Sequence, residues 1–234
     1  VLLTRSDKIS MSRNWKVDTG ILGKILYIGI PNGLENSIFQ IGKLLTTSLI
    51  ATFGMVAITA NAVTYSIANF QQIPSSAIGV AMITVIGQCI GAGETGQAVY
   101  YLKRMIKWAY LCMIVLGIPI ILFAPLCSIY HLSPETTDMT ILLLVYNCIC
   151  CMLVHPLSFA QSNALRAAGD VKFTMIVAIG SMWICRVGMA YILGQAVGLG
   201  VIGVWIAMTM DWCVRAFLFT NRVRTGKWLQ YKDR

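Results

Sequence analysis

Six apolar runs of about 20 residues or more follow one another along the 234-residue chain, and charged side chains are nearly absent from them. A bilayer core of ~30 Å takes about 20 residues of helix at 1.5 Å rise per residue. Inside lipid, a backbone satisfies its own polar groups only as a helix or a closed barrel. Barrel strands are short and alternate with period two, and these runs are long and continuous. Charged residues make up 12% of the sequence, against about 25% in soluble domains. The pattern excludes a disordered chain, a small disulfide scaffold and an ordinary soluble enzyme. It predicts an all-α integral membrane protein, a bundle of six transmembrane helices.

The predicted helices cover residues 21–52, 57–90, 104–129, 137–164, 172–196 and 201–220, within a membrane lobe spanning 21–221. The segment 1–20 before them and the segment 222–234 after them are basic. Fifteen of the 18 Lys and Arg fall before or at the start of the first helix, around the junctions of helices two and three and of four and five, or in the tail. The three alternate loops carry none. By the positive-inside rule both termini are cytoplasmic, in a plasma (inner) membrane protein whose net charge of +9 reflects topology, with no nucleic-acid partner. Pro31 and Pro74 are predicted kinks, Pro74 interrupting the second helix. Gly93 is the predicted end of helix two, Asp170 the N-cap of helix five, and Ser133-Pro134-Glu135 the start of helix four. Residues 99–110 mix aromatic and basic side chains and read as an interfacial amphipathic start to helix three. All eight Cys lie in apolar runs and read as small reduced fillers. The chain starts at Val1 on a polar, basic stretch, as expected of a piece of a longer protein.

Ionisable groups inside a membrane are costly and mark function or a paired contact. Five occur here: Glu35 and Lys43 on helix one, Arg186 on helix five, Asp211 and Arg215 on helix six. On helix one, Glu35, Thr46, Phe39, Asn32, Lys43, Asn36, Thr47 and Gln40 share an arc of roughly 140° at 100° per residue. Leu and Ile fill the other side. Such a face either lines a water-accessible cavity or meets another polar helix through hydrogen bonds. Glu35 stands ~21 Å into the helix, near mid-membrane. It is a candidate for proton exchange or cation binding, with a structural pair to Lys43 or Arg186 as the alternative. Asn61, Tyr65, Asn69, Gln72 and Ser76 form a second polar stripe on helix two. Asp211 and Arg215 stand at i and i+4 and can neutralise each other; Arg186 needs an anion, from Asp211 or Glu35. His155 reads as interfacial or as a helix-break residue, and Cys148 with Cys151 as packing. No metal-binding HExxH, phosphate-binding glycine loop or GxSxG occurs, so neither an enzyme nor a cofactor or metal is predicted.

Several short stretches resemble one known family in the same order: Gly29-Ile-Pro-Asn-Gly-Leu-Glu35 with Gln40–Lys43, Phe53-Gly54 through Ala60-Asn-Ala62, Gln72-Ile-Pro74, Val85–Gln88 with Gly91–Gly93, Leu165–Asp170, and Gly203-Val-Trp205 with Asp211-Trp212. These are similar to the MATE family, the multidrug and toxic compound extrusion transporters. The resemblance implies the second six-helix lobe of a twelve-helix, two-lobe transporter, with residues 1–20 as the cytoplasmic linker and the first lobe as its missing partner. It implies export of cationic or amphipathic drugs by antiport with H⁺ or Na⁺ through alternating access. With the polar faces of helices one and two read in that light, Glu35 and Lys43 are the expected coupling and substrate residues, and Asn32, Asn36, Phe39, Gln40, Asn61, Tyr65 and Gln72 the expected cavity lining. Arg186, Asp211 and Arg215 serve structure or coupling. One departure is that helix four offers neutral Asn147 and His155 where some members place a second carboxylate. The main alternative is a lipid-linked oligosaccharide flippase of related architecture, marked by a basic cavity. A membrane-embedded enzyme would need converging reactive groups, and a non-transporting subunit a dry helix one–two interface.

Overall fold

The computed structural model describes residues 19–125 and 132–229, with the side chains of Ile21, Lys24, Ile25, Tyr27, Ile28, Pro31, Asn32 and Glu35 outside the described set. Six helices make up this part: α1 (Thr19–Ala51), α2 (Met55–Gly91), α3 (Thr95–Leu122), α4 (Pro134–Ala167), α5 (Val171–Ala196) and α6 (Gly200–Arg224). Five of them, α2 to α6, are long and apolar enough to cross a membrane. There are no strands among the described residues.

Around the bundle the helices follow the order α3, α2, α4, α6, α5, α1, with α1 closing against α2 and α3 resting in the angle between α2 and α4. Two apolar cores hold it. One gathers Leu49, Ala60, Leu143, Ala190, Trp205 and Trp212; the other gathers Met82, Ile86, Leu102, Leu165, Phe219 and Trp228. On α2 these core positions flank the polar stretch from Asn61 to Ser76, so the polar residues sit between the cores. Facing outward are Leu44, Phe70, Leu122, Leu153, Ile184 and Phe217, all exposed. Apolar outside and polar at mid-bundle is the arrangement that hydrocarbon solvent selects.

Several turns follow from local chemistry. Ser133 Oγ accepts from the Thr136 amide at 3.3 Å, and Pro134 opens α4 where its missing N–H costs nothing. Gly93 and Gly169 take φ of 82° and 89°, the left-handed backbone that ends α2 and α4. Asp170, expected to cap α5, makes no such bond. Its carboxylate instead accepts from Arg222 Nε at 2.7 Å and Nη2 at 3.3 Å, because the end of α6 places a guanidinium over the α4–α5 turn. A bidentate charge-assisted pair outcompetes one amide. Asp170→Asn is therefore expected to lower stability by roughly 1.5–3 kcal/mol, read as a lower unfolding temperature and faster tryptic cleavage after Arg222 and Arg224.

Other expectations are corrected. α3 starts at Thr95, nine residues ahead of the predicted 104. Its first turns bury Ala98 and Leu102 while Tyr100, Lys103 and Arg104 face out, so an amphipathic entry runs unbroken into the span. Pro74 does not interrupt α2, which is helical from Met55 to Gly91. The irregular stretches are π-helical turns elsewhere: Pro156–Ala160 in α4, and Met182–Gly188 and Ile192–Ala196 in α5. Proline at 156 supplies the cause in α4, since its missing N–H opens the hydrogen-bond ladder. Beyond Arg224 the basic tail is partly built in, with Trp228 buried in the second core. The linker expected at 1–20 lies outside the described residues except for Thr19 and Gly20.

Candidate functional site

The polar middle of the bundle is hollow. A cavity of about 140 Å³ is bounded by Phe39 and Lys43 from α1, Tyr65, Asn69 and Gln72 from α2, Asn147 and Phe159 from α4, Arg186 from α5, and Trp205, Met208 and Trp212 from α6. A second cavity of about 250 Å³ reaches Asn36 and Phe39, Ser75 and Ser76, Ser158, Asn163 and Arg166, and Arg215. A crevice of about 10 Å³ holds Thr46, Thr47, Asn61, Tyr65 and Arg186. Phe39 borders both larger cavities, and two guanidiniums approach its ring, Arg186 at 5.6 Å and Arg215 at 5.5 Å.

Tyr65 is the hub of the smaller cavity. Its hydroxyl accepts from Arg186 Nη2 at 3.0 Å and donates to Met208 Sδ at 3.6 Å. Its ring tilts on Trp205, centroids 5.3 Å apart, and carries the Lys43 ammonium at 5.4 Å. Gln72 Nε2 donates to Cys151 Sγ at 3.8 Å, and Cys151 Sγ to Asn147 Oδ1 at 3.7 Å. Asn147 Nδ2 and Asn61 Oδ1 are buried without a partner. The π turns fit here: one carries Arg186, the other Ser158 and Phe159. A wider turn swings its residues out of the regular 100° phase, which lets α5 aim Arg186 at α2.

The structure thus gathers Phe39, Lys43, Tyr65, Gln72 and Arg186 around one cavity. Asn36 lines the other, and Asn61 the crevice. Gln40 is exposed and lines none of these spaces. The side chains of Asn32 and Glu35, the proposed coupling carboxylate among them, lie outside the described residues. Asp211 pairs with Arg215, Nε to Oδ1 at 2.8 Å. It does not serve Arg186, which bonds Tyr65 instead. His155 stands where α4 passes into its π turn, as expected of a helix-break residue, and it is buried: its Nδ1 lies 3.1 Å from Ser75 Oγ, and its ring stacks on Phe159 at 4.5 Å. Cys148 and Cys151 are buried, and no group of three metal-ligating side chains occurs among the described residues. Sequence reasoning missed the aromatic wall of Phe159, Trp205 and Trp212. Its available signal was the seven-residue spacing of the two Trp, two turns apart on one face of α6.

Comparison with known proteins adds the family. The MatE family model matches residues 31–192, more than half of the chain. The uncharacterized transporter YisQ of Bacillus subtilis is 29% identical over 227 residues, covering 95% of this chain and 49% of YisQ. A probable multidrug resistance protein NorM of Thermotoga maritima is 26% identical over 206 residues, covering 88% of this chain and 44% of NorM. The chain spans about half the length of the curated relatives it matches. Among solved structures, MATE in the bent conformation superposes with TM-score 0.85 at 21% identity, covering 99% of this chain and 52% of that one. An outward-facing multidrug resistance MATE family transporter gives 0.82 at 22%, covering 94% and 50%.

Proposed function

The chain belongs to the MatE family of membrane transporters, and from that premise we propose that it forms one lobe of a secondary multidrug exporter. The observation that carries this is the hollow, polar and aromatic middle of the bundle, lined from α1, α2, α4, α5 and α6. A bundle that only glued helices together would close that space with interlocked side chains. An aromatic wall with a few placed polar groups suits flat amphipathic organic molecules. The relatives named for multidrug resistance support the same class of cargo. A second lobe facing this one would complete the pathway and alternate its access by rocking of one lobe against the other. The lobe sits in the plasma membrane with its basic loops cytoplasmic, and Tyr100, Lys103, Arg104, Lys107 and Trp108 lie exposed together where α3 enters.

Glu35 is proposed to exchange a coupling H⁺ or Na⁺, because a carboxylate on the polar face of α1 is a group that binds either. The test is ethidium efflux from membrane vesicles carrying the protein as its cell makes it, with imposed H⁺ and Na⁺ gradients applied separately. Wild type is expected to pump with one gradient, and Glu35→Gln to fall to the level of empty vesicles. Full gradient-driven efflux from Glu35→Gln would move coupling elsewhere in the protein. One observation favours the flippase alternative, namely that both titratable residues lining the smaller cavity besides Tyr65 are cations, Lys43 and Arg186. Scrambling of a lipid-linked sugar phosphate in place of dye efflux would establish it.

A further inference from the structure

Arg186 is 4% exposed, yet among the described residues no carboxylate pairs with it. Other arginines of the bundle are treated differently: Arg215 has Asp211 at 2.8 Å, and Arg222 has Asp170 at 2.7 Å. The Arg186 guanidinium spends one hydrogen bond on Tyr65 and lays a face near Phe39. A guanidinium carries five N–H donors in a planar fork. A buried charge without a counter-ion is unfavourable unless something anionic arrives. Two further donors border the same cavity. Lys43 holds its ammonium over the Tyr65 ring, with no carboxylate partner among the described residues. Asn147 is 1% exposed, and its Nδ2 has no acceptor among the described residues. Among the described residues no acidic side chain lines this cavity. Besides Tyr65 and the neutral amides Asn69 and Gln72, the rest of its wall is aromatic or apolar, with Phe39, Phe159, Trp205, Met208 and Trp212.

We infer that this cavity is a binding site for an aromatic acid, whose carboxylate is held by Arg186 with Lys43 and Asn147 and whose ring lies against Trp205, Trp212 and Phe159. This rests on the export reading above and adds an anionic class of cargo held at this cavity, apart from the cationic dye that reads out export. The planar fork suits a carboxylate bidentately, and the flat wall suits a fused ring. Charge decides the selectivity: a neutral amide of the same shape leaves the guanidinium without its counter-ion, and an aromatic ammonium meets two cations.

The probes are sodium 2-naphthoate, 2-naphthamide as its neutral isostere, and inorganic pyrophosphate. Each is titrated calorimetrically into the whole protein, with whatever chain flanks these residues in the cell. We expect naphthoate to bind at least about tenfold more tightly than the amide. Arg186→Met is expected to weaken naphthoate by roughly ten- to a hundredfold, the range for charge-assisted hydrogen bonds, and to leave the amide unchanged. Arg186→Lys keeps the charge and is expected to keep part of the acid preference. Thermal unfolding guards against a trivial loss of fold. Ligand-free Arg186→Met should melt no lower than wild type, since no ion pair among the described residues is lost and the Tyr65 hydroxyl still donates to Met208, and of these two proteins naphthoate should raise the melting temperature of wild type alone. Equal affinity for acid and amide overturns the inference. So does a clear drop in the melting temperature of ligand-free Arg186→Met, which would reveal a counter-ion elsewhere in the protein. Binding of pyrophosphate without naphthoate overturns it in favour of phosphate-bearing cargo. Vesicles that pump ethidium while the protein shows no acid preference sink this inference and leave the exporter. An acid preference without gradient-driven transport sinks the exporter and leaves the site.

Discussion

Alanine at Gly203 is expected to destabilise the bundle by about 3 kcal/mol or more, the upper end of the overpacking range, and valine to prevent folding. α6 crosses α5 so closely here that an added Cβ would stand 2.7 Å from both the carbonyl carbon and oxygen of Leu193 and 2.9 Å from the Gly194 nitrogen. These are backbone atoms, which cannot rotate aside. The contact is reciprocal, since a Cβ on Gly194 would come within 3.4 Å of the Gly200 oxygen. Small residues at helix crossings are how lipid-embedded helices gain close packing, because hydrocarbon gives them no hydrophobic drive to associate. The crossing also sets the cavity wall, for Trp205 and Met208 follow within two turns of Gly203 on α6. Gly42→Ala is the matched comparison. Its Cβ would approach Met182 Cε at 2.6 Å, the end of a flexible side chain that can swing away. Thermal unfolding in detergent should separate the two variants by several degrees. If Gly203→Ala melts within about 2 °C of wild type, the α5–α6 crossing is looser than described.

The legible parts of this fold are those written in one-dimensional physics. Apolar length gave six helices, and the distribution of Lys and Arg between loops gave an alternation. The same count isolated three cations that no loop explains, Lys43, Arg186 and Arg215, and all three border the two mid-bundle cavities. The polar faces of α1 and α2 were visible from their 100° periodicity, and Phe39, Lys43, Tyr65 and Gln72 do meet across one space. Pairing was not legible. In the sequence Asp211 stands one turn from Arg215, yet it serves as well as Glu35 for an anion beside Arg186. The π turn at Met182–Gly188 rotates Arg186 toward Tyr65, and no residue in Met-Trp-Ile-Cys-Arg-Val-Gly announces such a turn. Asp170 was equally ambiguous: its position fits an N-cap, and only the distant arrival of Arg222 decides otherwise. The coupling role of Glu35 stays a sequence-level proposal, as its side chain lies outside the described residues.

Removing the carboxylate of Asp211 should be the most damaging loss of a single charge in the bundle. Asp211 is fully buried, and its Oδ1 accepts from Arg215 Nε at 2.8 Å. Arg215 is fixed besides by donation to Ser181 Oγ at 2.8 Å and to the Ala178 carbonyl at 2.9 Å. In Asp211→Ala these neutral acceptors remain, but the guanidinium loses its only carboxylate among the described residues. Breaking one side of a buried ion pair costs roughly 3–5 kcal/mol, because the surviving charge is left uncompensated. The proper control removes both charges. Asp211→Leu combined with Arg215→Met exchanges a desolvated pair for apolar groups of similar size, an exchange that is often neutral. The double variant should therefore unfold at a higher temperature than Asp211→Ala, with a strong coupling term in the mutant cycle. If the double variant is the least stable of the set, the two residues are held by their neighbours rather than by each other. Arg186→Met supplies the contrast, since among the described residues that guanidinium has no carboxylate to orphan, and its loss should leave the melting temperature where it was. Loss of one buried charge then gives opposite outcomes at two neighbouring sites, decided by whether the charge removed had an ionic partner among the described residues.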